Sequence, residues 1–325
     1  MRFETARTIG YTPASNGCTH RMYRTFVILR HTFFETVFQP IYSLLIGLGA
    51  VILFIFAALP FFTLGEDTVM YKAVGLDVIL ILVLIITLFA TSKSIYEEIE
   101  DRTMLTLMSK PVHKWQVLIG KYLGIITAAA LAIAILGVVI SLSTWWRIPG
   151  DYQFNRRTID AGELRQIFET RVMHVAGLIP NFVLMWLQIA VLAAVSVAIS
   201  TRVSLVVNLP VVILVYIAGN LTRFLFPVFG DGSRGLWEDR NVLVRGGAYV
   251  LGNVLPFLEV FDLRARTIYS RIGILSFAND PNAVPYAAIW GYTGIALLYA
   301  VFYAVFALGV GMLLFQTREL GGGEG

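Results

Sequence analysis

Between Lys93 and Lys121 the chain sets four carboxylates, Glu97, Glu98, Glu100 and Asp101, close together and surrounds them with Lys93, Lys110, Lys114 and Lys121. Clustered acids can act as general acid and base, hold a cation, or present a charged face to a partner. A catalytic pair needs a nucleophile or a polarised group close by, and nothing near these acids gives them a reaction to perform. A metal site needs convergent ligands, and His20, His31, His113 and His174 are scattered without ligand spacing. Ile95 and Ile99, with the stem of Arg102 and then Leu105 and Met108, fall on one helical face, and the acids take the remaining positions. Pro111 restricts Lys110 and disfavours further helix, so a helix from about 95 ends near Ser109. The residues alone fit two readings: a docking helix, or a solvated loop with a charged face.

The other chemistries that sequence can announce are missing. The pair Gly120-Lys121 is followed by Tyr122 and lacks the earlier glycine of a phosphate loop. No HExxH, GxSxG or paired-cysteine site is found, and a lone cysteine, Cys18, excludes an internal disulfide and a thiolate cluster. The chain is expected not to be an enzyme and to hold no cofactor or metal. Its 325 residues are 57% hydrophobic and 14% charged, with mean hydropathy +0.75. Soluble domains run near about 45–50% apolar and about 25% charged, so this is a polytopic membrane protein. A net charge of +4, with most arginines flanking apolar runs, argues against a nucleic-acid surface.

The acids must be positioned by the apolar runs on either side. The first 21 residues are polar, carry no signal-type apolar core and read as a disordered lead. Phe26, Leu29, Phe33, Phe34 and Val37 alternate with Arg24, Arg30 and Glu35, giving an amphipathic helix that either lies in the membrane interface or extends the first span. Spans are expected at about 40–62, 73–91, 117–144, 174–199, 205–226 and 286–315, each near the roughly 20 residues a bilayer requires. Trp145-Trp146 would anchor the third span at an interface. Asp160 with Glu163 fits a helix cap, and Leu164, Ile167, Phe168, Arg171, Val172 and Val175 an amphipathic lead into the fourth. Pro180 could kink that span, and Ser200-Thr201-Arg202 is a tight turn. Asp77 is expected in the first turn or so of the second span, in an interfacial role. The spans otherwise hold almost no ionisable residues, against what an ion-coupled carrier needs.

The stretch 242–263 is apolar but interrupted by Gly246, Gly247, Gly252, Pro256 and Glu259, so two short helices meeting at Pro256 fit better than a crossing. The fold class is then all-α integral membrane: six transmembrane helices, an N-terminal interfacial helix, a cytoplasmic helix between spans 2 and 3, and short re-entrant or interfacial helices between spans 5 and 6. Both termini share one side. Arg2, Arg7, Arg21, Arg24 and Arg30 together with the island assign that side to the cytoplasm, while Arg156, Arg157, Arg264 and Arg266 sit in longer opposite loops that weigh less.

The words of the island narrow its two readings. YEEIEDRTMLTLMSKPVHKWQVLIGKYLG resembles the cytoplasmic segment of ABC-2 type permeases, with Glu97, Glu98, Glu100, Thr103, Leu107, Ser109, Lys110, Pro111, Val112, Gly120 and Lys121 on the pattern. Weaker likenesses follow at Ile199 to Arg202, Gly219 to Thr222, Leu255 to Leu263 and Phe315 to Leu320, so the resemblance covers 22–320 as a single transmembrane domain before a Gly-rich tail, 321–325. Two positions depart: His113-Lys114 stand where the family has Ser-Arg, and Met108 replaces a leucine. Serine caps better than histidine, although Gln116 keeps the capping-box position. The resemblance implies the permease subunit of an ATP-binding-cassette exporter in the plasma (inner) membrane. It further implies ABC ATPase subunits that bind the ATP and Mg, a second permease subunit (the same chain or another), and surrounding lipid. The segment 95–111 would be the coupling helix, docking the ATPase through Glu97, Glu98, Glu100, Asp101, Arg102, Thr103, Leu107, Ser109, Lys110 and Pro111. The alternative is a scaffold subunit that binds a cytoplasmic partner and moves nothing. Cargo is not legible.

Overall fold

The computed structural model describes residues 17–59, 67–100, 113–151, 161–222, 242–275, 278 and 280–316. The chain is helical almost throughout: α1 (Gly17–Val37), α2 (Pro40–Ala58), α3 (Asp67–Thr91), a π-helical turn (Ser92–Glu97), α4 (Glu98–Glu100), α5 (Lys114–Asp151), α6 (Ala161–Ser200), α7 (Leu205–Asn220), α8 (Val242–Val254), α9 (Arg264–Thr267) and α10 (Tyr286–Gln316). Among the described residues the strand content is one parallel pair, β1 (Ile272–Gly273) and β2 (Val284–Pro285), of two residues each. Among the described residues five helices are long and apolar enough to cross a membrane: Pro40–Ala58, Asp67–Glu100, Lys114–Ile148, Leu164–Ser200 and Tyr286–Gln316. The fifth predicted span is α7, whose 16 residues reach only about 24 Å along the axis against a hydrocarbon core of roughly 30 Å. Of its predicted remainder, 223–226 lie beyond the described residues.

Burial sorts the helices. Leu76, Ile79 and Val83 of α3, Ala128, Ala132 and Leu136 of α5, and Leu178, Met185 and Ile189 of α6 form one buried cluster in which α6 is central. The outward faces of α2 and α10 stay apolar, with Phe54, Leu44, Phe302 and Val305 exposed, as lipid-facing surfaces are. Small residues set the closest approaches. A Cβ on Gly124 would stand 2.8 Å from both the Leu29 carbonyl oxygen and Thr32 Cβ, and one on Gly120 2.9 Å from Ile28 Cγ2. These two glycines let α5 lie directly against α1. Gly124→Val must push backbone rather than flexible side chain, and is expected to cost about 1–3 kcal/mol, read as a lowered Tm in detergent; an unchanged Tm would mean α1 is not held there.

Several expectations shift. α1 begins at Gly17, inside the predicted lead, and packs along α5 with Tyr23, Phe26 and Phe38 exposed. α2 ends at Ala58 rather than 62, where Arg147 donates to the carbonyls of Phe56, Ala57 and Leu59 at 2.9–3.0 Å. α3 starts six residues before the predicted 73, which carries Lys72 into the bundle and Asp77 about 15 Å down the helix. Asp77 is therefore not in the first turn; it pairs with Arg264 at 2.6 Å. Burial opposes the Arg264 charge, but Asp77 and then Asp262 outweigh it and hold the guanidinium above its ordinary value. The Trp pair splits: Trp146 is exposed, while Trp145 meets the Phe168 ring edge-on at 5.9 Å and has Arg171 over its face at 5.3 Å. The amphipathic lead and fourth span are one helix, α6, which runs through Pro180. Asp160, the proposed cap, lies outside the described residues.

Between α7 and α10 no described helix crosses. α8, at 13 residues, stops before Pro256, and the second predicted helix is a 3-10 turn (Leu258–Phe261) followed by α9. Leu258, Phe261 and Leu263 are buried among α6, α7 and α10, so this segment plugs the bundle end instead of lying flat on it. Gly177 and Gly219 make room for it, since a Cβ would meet the Thr267 carbonyl oxygen at 2.6 Å and the Pro256 carbonyl oxygen at 2.7 Å. Pro285 immediately precedes α10, as expected of a proline at a helix start.

Candidate functional site

Counting α3, the π-turn and α4 together, one helix runs from Asp67 to Glu100, 34 residues or about 51 Å, so it outruns the hydrocarbon core and carries the first island acids out at its end. Where it leaves, the spiral widens into a π-turn over Ser92–Glu97, a feature common at functional sites in helices. Ile95 and Ile99 are buried against Val117, Leu118, Tyr122 and Phe315, which is the apolar face read from the sequence. Lys93, Glu97 and Glu100 point outward and are exposed.

Glu98 behaves differently. Its carboxylate sits 2.5 Å from Lys121 Nζ, and the lysine side chain is 4% exposed against 28% for the acid. Lys121 also donates to the Ser94 carbonyl oxygen and reaches the Ser94 hydroxyl at 3.3 Å. One ammonium from α5 thus clasps both the π-turn and α4. Gly120 and Lys121 of the sequence pattern have separate physical jobs: the glycine lets α1 approach, and the lysine ties the outgoing helix to the returning one. At the foot of α5, Gln116 Oε1 accepts from the His113 N–H at 3.1 Å, so the capping-box position is used as the sequence indicated. Lys114 lies over the Phe315 ring at 5.3 Å, joining that foot to the end of α10.

Beside the clasp, Asn208 of α7, fully buried, places Nδ2, with its two N–H donors, within reach of Ser92 Oγ (2.9 Å), Ser196 Oγ (2.8 Å) and Ser200 Oγ (3.0 Å). Thr91 Oγ1 lies 2.5 Å from Ser196 Oγ, and the Asn208 Oδ1 has no hydrogen-bond partner among the described residues. This node joins the start of the π-turn to both sides of the 200–204 turn, whose tightness is kept by Arg202 N–H donating to Ile199 at 2.9 Å. In hydrocarbon an amide without partners is costly, so one polar node fixes three helices. Sequence reasoning gave Asn208 no role; the usable signal was Ser196 and Ser200 spaced four apart on α6, with an amide in the next charge-free helix.

Of the predicted docking set, Glu97, Glu98 and Glu100 come together at the end of the long helix. Asp101, Arg102, Thr103, Leu107, Ser109, Lys110 and Pro111 lie outside the described residues. No group of three or more His, Cys, Asp or Glu side chains that could hold a metal occurs among the described residues.

The model of the family described as ABC-2 family transporter protein matches residues 28–320, nearly the whole chain. The chain belongs to the ABC-2 transporter family. It is a multi-pass membrane protein and a membrane transport component of an ABC transporter, a family whose members are not themselves catalytic and normally work with ABC ATPase partners. No curated protein matches the sequence. For an ABC-2 protein, the clasp at Lys121 lies where the two helices flanking the island leave and re-enter the bundle.

Proposed function

We propose that this ABC-2 protein is the permease subunit of an exporter, converting ATP hydrolysis by separate ATPase subunits into movement of cargo across the plasma membrane. ATP and Mg bind the ATPase, a second permease subunit completes the membrane unit, and both termini face the cytoplasm with the island. The segment 95–111 is the docking element. The observation that supports this reading is the clasp: Lys121 of α5 holds Ser94 and Glu98, so a load applied to the island reaches α3 and α5 together. An ordinary solvated loop has no need of a buried ammonium at its root. Glu97 and Glu100 face outward and are free to meet a basic groove, whereas Glu98 serves the clasp.

The test is a double reversal, Glu97→Lys with Glu100→Lys, co-expressed with candidate ATPase subunits. Both sites are exposed, so folding is expected to survive. Co-purified ATPase is expected to fall at least tenfold, and ATP-dependent transport to disappear. Retention of the complex together with transport sinks the docking assignment. Complex formation by the unaltered chain without any nucleotide-dependent movement of cargo identifies it as a scaffold instead.

A further inference from the structure

At the end of the bundle opposite the island, a cavity of about 40 Å³ opens between α3, α6, α7 and the 3-10 turn. One wall is apolar, formed by Leu76, Leu80, Met185 and Phe261; the other carries Gln188, Tyr216 and Asn220. The polar wall is not spent on the fold. Gln188 is 5% exposed, in the middle of α6, and its amide makes no hydrogen bond to a described residue. The Tyr216 hydroxyl is likewise unbonded, and Asn220 uses only Nδ2, on the Tyr216 carbonyl at 2.8 Å. Asn181, by contrast, is committed to Gly177 and Thr267 at 2.8 and 2.7 Å. At the rim one guanidinium, Arg264, is shared between Asp77 at 2.6 Å and Asp262 at 3.8 Å.

A buried amide in a membrane helix that bonds to nothing costs free energy unless water or a ligand completes it. The space takes about three waters, at roughly 10–15 Å³ each. Its chemistry is selective. With the rim cation taken up by two carboxylates, an anionic group meets net negative charge, and the inner groups are a neutral amide, a phenol and an amide oxygen. Those donate to and accept from hydroxyls. The carboxylate in the lining, Asp262, already faces the Arg264 guanidinium at 3.8 Å, so an ammonium would have to compete with a cation in place. The pair between Asp77 on α3 and Arg264 on α9 also ties the plug segment to a spanning helix, with Arg264 itself in the cavity lining.

Resting on the transport reading above, we infer that this cavity is a binding site for an uncharged, hydroxyl-bearing group of an amphipathic cargo, with the Asp77–Arg264 pair as the latch over it. The apolar wall takes the adjoining carbon chain, and Gln188, Tyr216 and Asn220 take the hydroxyls in place of water. Occupation by anything larger than one such group requires the latch to part.

The lone cysteine makes the test clean. In a Cys18→Ser background, Gln188→Cys and Asn220→Cys are placed singly in lipid nanodiscs and labelled with a membrane-impermeant maleimide, with Phe302→Cys on the exposed face of α10 as control. Both cavity thiols are expected to label at least tenfold faster than the control, and faster again with Arg264→Gln. Hexyl glucoside is expected to slow that labelling several-fold, while hexyl phosphate and hexylammonium leave it unchanged. Labelling no faster than the control at both positions overturns the site, as does equal protection by the charged amphiphiles. Size-exclusion profiles matching the parent protein establish that each variant is folded, and two thiol positions keep the test decisive if one is lost. No ATPase is present, so failure here is distinct from failure of docking.

Discussion

Lys121→Met is expected to destabilise the protein by about 2–3 kcal/mol and to abolish ATP-coupled transport while leaving the ATPase bound. Methionine has a similar length and volume, so the α5 backbone and the neighbouring Ile95 and Ile99 keep their packing. What disappears is the ammonium. The Ser94 carbonyl, buried in the π-turn, then loses a donor that nothing adjacent replaces, and leaving a buried acceptor unpaired carries most of the cost. Glu98 is partly exposed and can turn to water, which holds the loss below that of a fully buried broken pair. Glu98→Gln, which keeps the shape and the lysine's contact with Ser94, is expected to lose less than half as much. The functional readout separates the clasp from mere stability. With the docking acids Glu97 and Glu100 untouched, ATPase should still co-purify and hydrolyse ATP, but hydrolysis and cargo movement should no longer be proportional. Wild-type coupling in Lys121→Met would show that load passes from the island to the membrane by another route.

The parts of this site that were legible in the sequence are those where charge interrupts an apolar run. Glu97, Glu98 and Glu100 stand out because water must lie there, and Ile95 and Ile99 because a helix repeats every 3.6 residues. Gln116 was legible as a cap because capping is local in sequence. The clasp was not, since Lys121 meets Ser94 across 27 positions, and one-dimensional spacing cannot say which of four lysines turns inward. Asn208 was hidden for the same reason: it joins Ser92 across 116 positions. The boundary errors share a cause as well. With the span expected to start at 73, which leaves Lys72 outside it, Asp77 read as interfacial, because a charge near a span end usually marks its limit. Here both find partners on other helices, His174 and Arg264, and the helix continues past them. The plug between α8 and α9 was half legible: Pro256 marked the break, but only the approach of Gly177 and Gly219 shows that the segment is buried rather than flat on the surface.

Lys72 and His174 offer the sharpest energetic test in the membrane. Lys72 is 1% exposed, His174 7%, and Nζ lies 2.7 Å from Nδ1. No carboxylate contacts this lysine among the described residues, so it gains no ion-pair energy to set against its burial. His174→Leu takes away the hydrogen-bond partner that the lysine has among the described residues, and is expected to cost about 3–5 kcal/mol, as does removal of one member of a buried polar pair. Lys72→Met takes the ammonium contact from His174 Nδ1, a smaller loss of about 1–3 kcal/mol. In the double variant both polar groups are replaced by apolar ones of similar volume, and most of the loss should return, because neither member of this contact is left without the other. The cycle therefore closes with a coupling of at least about 2 kcal/mol, measurable as Tm in detergent for the four proteins. Additive losses would mean that each group is held by other neighbours and that the contact carries no weight. A protein that regains its Tm in the double variant but not its transport separates the two roles: the pair then costs stability and is kept for movement of the α3 and α6 ends it joins.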